Sequence, residues 1–281
     1  MRKRRGNHPL RTTAVVLVLC GAAHAQHQPG AAWVEGAFLT HELGVEAMLL
    51  NPGALSARPN DDGVRVQGIG DKEWKDHEYA AAMSMGGLGF AYQQLPLAAG
   101  RSERTLRIYR LNLSVGGRVL AIGTSNKLYS LEYPHHIDNQ FGIDAGLHFQ
   151  PLPFLTIAAL ALDCNEPVID GRTIPRRYML GSAIALFHRS LWLEQQITGD
   201  DGTTAWENLT WQAGLVLRPI GRLEIGVGYK DEPHVPELFL AQATLPLPIG
   251  IEIGAALRSD KEFTSKLLAA SLLLPLQTLR F

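Results

Sequence analysis

The sequence predicts an all-β chain: a single transmembrane antiparallel β-barrel of about fourteen strands. Three observations carry that expectation. The first residues read as an export signal. Beyond residue 62 apolar residues alternate with small or polar ones at period two. The connections between the alternating segments are short and long in turn.

The export signal comes first in the chain. "MRKRRGNHPLR" is a basic stretch, and "TTAVVLVLCGA" is an apolar core too short to cross a bilayer as a helix. Ala23-His24-Ala25 has the small-x-small form of a signal-peptidase site, so cleavage is expected near Ala25, with residues 1–25 as signal peptide and Gln26 as the mature start. Leu17-Val18-Leu19-Cys20 also resembles a lipoprotein box, but bulky Leu19 stands where that box needs a small residue. Residues 1–25 carry five basic side chains and no acid, so the mature chain has 21 basic against 27 acidic residues, a net charge of −6. That balance argues against nucleic acid as a partner. Cys164 alone would remain, which excludes an intrachain disulfide in an exported protein. No later stretch offers about 18 consecutive apolar residues, so any crossing of a membrane falls to strands.

Residues 26–62 form a lead-in, and residues 63–281 the barrel. In "FGIDAGLHF", Phe141, Ile143, Ala145, Leu147 and Phe149 share one face, and Gly142, Asp144, Gly146 and His148 the other. "RLEIGVGYK" and "GIEIGAALR" repeat the pattern, which is that of a strand with one apolar face. Fourteen such segments follow one another: 63–69, 78–85, 88–95, 104–115, 118–126, 140–149, 154–163, 177–187, 190–198, 205–217, 222–230, 236–245, 250–257 and 264–274. Short connections ("GG" at 86–87 and at 116–117, "PLP" at 151–153, "HRS" at 188–190) alternate with longer charged ones, notably 96–104, 127–139 and 164–176. Tight turns at one end and longer loops at the other are the asymmetry of an outer-membrane barrel, and an even strand count puts both chain ends on the short-turn side.

A water-soluble β-sandwich or lipocalin-like barrel also alternates. Against it stand the Gly-rich polar faces, poor in the Lys and Glu of a water-facing sheet, and the aromatics Phe90, Tyr92, Tyr109, Trp211 and Tyr229 on the apolar faces near strand ends. The terminal aromatic Phe281, in "LQTLRF", resembles the signal read by outer-membrane assembly machinery. In such a barrel Arg110, Asp144, His148, Glu224, Lys230, Glu252 and Arg258 must face the lumen, because a charge on lipid costs a few kcal/mol near the midplane. They either line a passage or fill the interior with ion pairs among themselves.

Within the lead-in, "GAFLTHELGVEAMLLNPGALS" is too apolar for a loop and too broken for an ordinary helix. Asn51 followed by Pro52 reads as the cap and first position of a helical turn, and Thr40 as the cap of an earlier one. By itself the segment is a capped turn leading into the first strand. Gly36-Ala37-Phe38, followed at the matching spacing by Asn51-Pro52-Gly53-Ala54-Leu55, resembles the N-terminal signature of the FadL-like outer-membrane barrels, most closely the PorV/PorQ-like branch. Gly53-Ala54 inverts that family's usual Ala-Gly order. The resemblance implies fourteen strands and an N-terminal helical plug inside the barrel, with Phe38, Leu43, Val45, Met48 and Leu49 against the inner wall. It also implies an apolar pocket between plug and wall, and a lateral opening where a strand is broken, for which "GLGFAY" at 87–92 is the candidate. Passage of hydrophobic or amphipathic small molecules across the outer membrane of a Gram-negative-type bacterium follows from the superfamily. Docking of a secretion-system or surface-attachment partner on loops 127–139 and 164–176 follows from the branch.

Signals for chemistry are poor. No Gly-x-Ser-x-Gly, His-Glu-x-x-His or phosphate-binding loop is present, so the chain reads as a non-enzyme without cofactor. His135-His136 beside Asp138 fit a solvated loop better than a metal site, and Asn112-Leu113-Ser114 matches a glycosylation acceptor only by accident in a bacterial-type barrel. Outer-membrane lipid is the one partner that the barrel itself requires.

Overall fold

A computed structural model describes residues 38–40, 44–57, 62–71, 77–99, 102–132, 137–201, 209–219, 223–231, 238–247, 251–260 and 266–275. The expected cleavage site near Ala25, Gly36, Ala37, Leu43, the His135-His136 pair and Phe281 lie outside the described residues.

The strands are β1 (Gly63–Asp71), β2 (His77–Met85), β3 (Leu88–Ala99), β4 (Ser102–Gly116), β5 (Leu120–Glu132), β6 (Ile137–Leu152), β7 (Leu155–Leu162), β8 (Val168–Ile169), β9 (Arg172–Thr173), β10 (Arg177–Leu186), β11 (Leu191–Asp200), β12 (Thr210–Leu217), β13 (Glu224–Asp231), β14 (Leu238–Pro246), β15 (Glu252–Asp260) and β16 (Lys266–Pro275). β8 and β9 form a small hairpin of their own, and the other fourteen close into an antiparallel barrel. Closure is made by β1 on β16, from Gly63 opposite Pro275 to Asp71 opposite Leu267. Each of the fourteen predicted segments is a barrel strand.

Period two decides the two faces. On β4, Leu106, Ile108, Asn112 and Ser114 are buried, while Leu111, Leu113 and Val115 are 37–67 % exposed. The same split on β13 leaves Ile225 and Val227 about half exposed, opposite glycines 226 and 228. A belt of bare aliphatic side chains would be an association surface in water, whereas in lipid it meets a solvent of its own kind. Phe90, Tyr109 and Trp211 face out in this belt. Tyr92 leans on Tyr109 with ring centroids 5.3 Å apart, and Tyr229 on Phe239 at 5.7 Å.

The barrel is taller on one side. Crossing a bilayer takes about 9–11 residues of tilted strand. β3 to β6 have 12, 15, 13 and 16 residues. They stand roughly 12–15 Å above the rest. Connections expected at 96–104 and 127–139 are therefore mostly strand: β3 runs to Ala99, β4 starts at Ser102, β5 runs to Glu132 and β6 starts at Ile137. Polar outward residues hid this extension. Arg107 and Glu132 pair at 2.7 Å on the outside, as a wall standing in water permits but a lipid-facing one does not. The strand break expected at 87–92 is also absent: β3 pairs with β2 from Leu88 to Gln94 and with β4 along its whole length. Its glycine is there for room instead, since a Cβ on Gly89 would strike the Met48 side chain at 2.5 Å.

The irregular seam lies between β6 and β7. Their ladder runs only from Ala145 opposite Ala161 to Phe149 opposite Ile157, then shifts register before Leu152 meets Leu155. Above it the connection takes over from the strand. Cys164 N donates to Ile143 O, and the Asn165 amide bonds both Ile143 N and Phe141 O, so one side chain continues the ladder. At the opposite rim, Phe187, His188 and Arg189 in the β10–β11 turn have φ of 48°, 55° and 71°. Three consecutive non-glycine residues in the left-handed region cost about 1–2 kcal/mol each.

Candidate functional site

The interior holds three layers, taken here from the short-turn end upward. The lowest is made by residues 38–40 and 44–57, which lie inside the barrel. It forms a 3-10 turn at Gly44–Leu49 and a second at Pro52–Ala54. Asn51 caps the second turn, its side chain accepting from Gly53 N at 3.0 Å, with Pro52 in the first position. The buried hydroxyl of Thr40 has no hydrogen-bond partner among the described residues, and residues 41–43, which it was expected to cap, lie outside them.

Glycine brings the segment onto the wall. A Cβ on Gly53 would lie 2.5 Å from Gly146 O, and Cβ atoms on Gly123 and Gly146 would strike Pro52 O and Asn51 Oδ1. Plug backbone thus packs directly on β5 and β6 backbone, where no side chain can fit. Polar side chains fasten it. Asn51 Nδ2 donates to Leu147 O at 3.1 Å, Asn112 Nδ2 to Met48 O at 2.7 Å, and Ser114 Oγ to Gly53 O at 3.2 Å. Ser56 Oγ lies 2.8 Å from Ser114 Oγ, and on the far side Leu39 N donates to Gln196 Oε1. Val45, Met48, Leu49 and Leu55 pack with Ala80, Ala82 and Ala91, and Leu39 and Leu50 pack with Ala158, Leu160 and Leu162. Phe38 reaches β12, its ring filling the space at Gly214. An apolar pocket between plug and wall is the expectation from the resemblance; against β5 and β6 the contact is close-packed.

The middle layer is ionic. Lys127 Nζ lies 2.7 Å from Asp144 Oδ1 and 2.5 Å from Asp163 Oδ1, and Arg110 Nη1 is 3.6 Å from Asp144 Oδ2. Tyr129 OH donates to Asp163 Oδ1 at 2.7 Å, Asp163 N donates to Asp144 Oδ1, and the Arg110 guanidinium donates twice to Gln93 Oε1. Lys127, Asp144 and Asp163 are almost wholly buried. Two cations and two anions sum to zero, the condition under which buried charges persist in a low-dielectric interior.

The top layer is apolar. Leu95, Leu106, Ile108, Tyr129 and Leu131 cluster with Ile169 of the β8–β9 hairpin, and Ile174 packs on them. The 163–176 connection thus folds inward against the tall wall, and Asp170 N is held by Asp138 Oδ2 at 3.3 Å.

Of the predicted lumen residues, Arg110 and Asp144 meet in the ionic layer. His148 is buried lower on β6. Glu224 sits near the short-turn rim with Arg218. Lys230 and Glu252 are half-buried at opposite ends of the barrel. The Arg258 side chain lies outside the described residues. These residues do not form one row. The partners that complete the interior, Lys127, Asp163, Asn112, Ser114 and Gln196, are absent from the sequence prediction. Asn112 and Ser114 share the parity of Arg110 on one strand, a signal that could have found them. Among the described residues no three His, Cys, Asp or Glu side chains gather as a metal site.

On the lipid-facing side of the seam is a concavity of about 710 Å³. Leu113, Val115, Ile122 and Tyr178 form its flanks, and Gly123, Thr124, Ala145, Gly146, Ala159 and Ala161 its floor. Gly123 and Gly146 are the residues that touch the plug from inside. One layer of backbone separates the groove from Pro52.

No protein-family model and no curated protein sequence matches the chain. Solved structures do. The chain is similar to the CymD monoaromatic hydrocarbon channel, with TM-score 0.57 and 11 % identity over 87 % of this chain and 96 % of that one. It is similar to the Ralstonia pickettii toluene transporter TbuX, with TM-score 0.54 and 12 % identity over 83 % and 93 %. It is also similar to a Pseudomonas aeruginosa FadL homologue, with TM-score 0.54 and 11 % identity over 85 % and 96 %. At such identities the likeness is one of fold, a closed antiparallel β-barrel.

Proposed function

We propose that the protein passes apolar or amphipathic small molecules, of the size of monoaromatic hydrocarbons or medium-chain acids, through the outer membrane. The observation that carries this reading is the apolar top layer. A pore for hydrated solutes keeps a polar, water-filled interior. Here the mouth of the tall half is lined by Leu95, Leu106, Ile108, Leu131 and Ile169, above a plug packed on the wall. The three matched structures, described as a hydrocarbon channel, a toluene transporter and a FadL homologue, support the same chemistry.

The β6–β7 seam is the route we assign for leaving the barrel sideways. Its ladder is short, Gly146 is its inner residue against the plug, and its outer face opens into the groove. One backbone layer, that of β5 and β6, separates Asn51–Gly53 from the lipid-facing groove, below the ionic layer.

The test needs an intact lipopolysaccharide-bearing membrane, because bare phospholipid passes hydrocarbons unaided. Cells expressing the protein should take up labelled toluene or octanoate several-fold faster than cells without it, with no gain for a labelled disaccharide. Equal uptake with and without the protein overturns the transport reading. Ala145→Trp fills the groove from the lipid side. It should slow hydrocarbon uptake several-fold while the barrel folds normally, and unchanged uptake would move the exit elsewhere.

A further inference from the structure

The short-turn rim carries a feature that the passage does not use. Four neighbouring turns follow β4, β6, β10 and β12 round this rim, and three of them present an arginine: Arg118, Arg189 and Arg218. Arg118 Nε donates to Gln150 Oε1 at 3.1 Å, and Arg189 Nη2 to Pro153 O at 2.8 Å, so both are drawn onto the β6–β7 turn. Arg218 lies over the Trp192 ring at 5.6 Å and pairs with Glu224, and its N donates to Ser190 O. Glu224 pairs with Arg218, and the three described arginines outnumber it. Acids crowd the opposite rim instead, at Glu132, Asp138, Glu166, Asp170, Asp200 and Asp201. Partial burial first, then the Arg118 and Arg218 charges, hold the Arg189 guanidinium below its usual range, as three cations sharing one small sector would.

Beside the arginines the turns push apolar side chains outward. Phe187 is 74 % exposed, Val119 60 % and Phe154 50 %. Phe187 owes its position to the left-handed turn at 187–189, a strained backbone that a glycine would relieve. Ala185 N bonded to Phe154 O and Trp192 Nε1 bonded to Arg189 O hold that turn in place. Strain kept at a rim, with cations and exposed rings side by side, matches a surface that is apolar on one side and phosphate-bearing on the other.

We propose that this arc is a docking site for an anionic glycerophospholipid of the inner leaflet, its phosphate between Arg118 and Arg189 and its acyl chains along Phe187, Phe154 and Val119. The proposal is independent of what the barrel carries. Short turns place this rim at the periplasmic face, where the facing leaflet is phospholipid.

The experiment is native mass spectrometry of the full chain released from detergent with equal amounts of phosphatidylglycerol and phosphatidylethanolamine of the same acyl chains. Wild-type protein should retain phosphatidylglycerol at least fivefold more often. The Arg118→Gln/Arg189→Gln double variant should lose that preference while keeping its folded, heat-modifiable band on a cold gel. Phe187→Ser should lower retention of both lipids without changing their ratio. Equal retention by the wild type, a preference that survives in the double variant, or selective retention of added lipopolysaccharide in place of phosphatidylglycerol would each overturn the proposal.

Discussion

β3–β6 and β11–β16 belong to one barrel and are built differently. The first four have 12 to 16 residues, and the last six 8 to 10. Behind the first lie the ionic layer, the backbone-to-backbone contact with Pro52 and the folded-in hairpin. Behind the second, the plug's contacts among the described residues include one ring, Phe38 at Gly214, one hydrogen bond, Leu39 to Gln196, and Leu273 of β16 against the cluster that holds Val45, Met48 and Leu49. Near the short-turn end, small and apolar residues fill the space, as in the cluster of Ala183, Ala185, Trp192 and Val216. The lesson is mechanical. The tall half grips the plug through groups that cannot move, and the short half through groups that can. Any displacement of the plug that leaves the barrel intact must hinge on the tall side.

The largest effect should come from breaking the ionic layer. Lys127→Met leaves Asp144 and Asp163 facing each other without their common cation, and removing one partner of a buried pair costs about 3–5 kcal/mol. The urea midpoint of the folded band on a cold gel should fall accordingly. Adding Asp163→Asn restores neutrality, because Arg110 still answers Asp144, and should recover much of the loss. A Lys127→Met midpoint no lower than that of a surface substitution would show that the tall half owes its rigidity to something else.

A matched pair of glycine substitutions sharpens the contrast. In Gly146→Ala the new methyl meets Asn51 Oδ1, Gly53 N at 2.8 Å and Pro52 Cδ at 3.0 Å, all in a capped turn with no slack. Overpacking there should cost about 2–3 kcal/mol and lift the plug, which protease cleavage within residues 38–57 and a larger conductance in planar bilayers would report. In Gly214→Ala the methyl meets chiefly the Phe38 ring, which can swing away at about 0.5–1.5 kcal/mol of rotamer strain, and lies 3.3 Å from Val227 O. Its conductance should stay at the wild-type level. Equal conductances in the two variants would erase the distinction between the halves.

How much of this was legible follows from what each signal encodes. Period two states parity, so the fourteen strands and the inward position of Asp144 could be read directly. It does not state where the bilayer stops. Lys127, an inward residue, lies in a polar stretch that reads as loop because charged outward neighbours such as Glu132 are normal once a strand stands in water. Asp163 ends β7 in a left-handed conformation, φ 51°, and local sequence cannot say which strand it bends toward. Asn112 and Ser114 read as a chance acceptor motif, although parity puts both on the face of Arg110. The plug segment was legible as a capped turn, but its placement needs the distant glycines 123 and 146, a pairing that no local pattern contains.

The smallest effect tests the height of the wall. Arg107 and Glu132 pair outside the barrel, with side chains 35 % and 46 % exposed. If that stretch of β4–β5 stands in water, Glu132→Gln forfeits an exposed pair worth about 0.2–1 kcal/mol, and the deficit should shrink as salt rises toward 1 M. If the same stretch were sunk in lipid, the stranded Arg107 would cost about 2–4 kcal/mol and salt would not soften it. Urea midpoints of Glu132→Gln at low and high salt separate the two cases. A large, salt-independent loss would lower the water line by a turn of strand and remove the asymmetry of height on which the comparison rests.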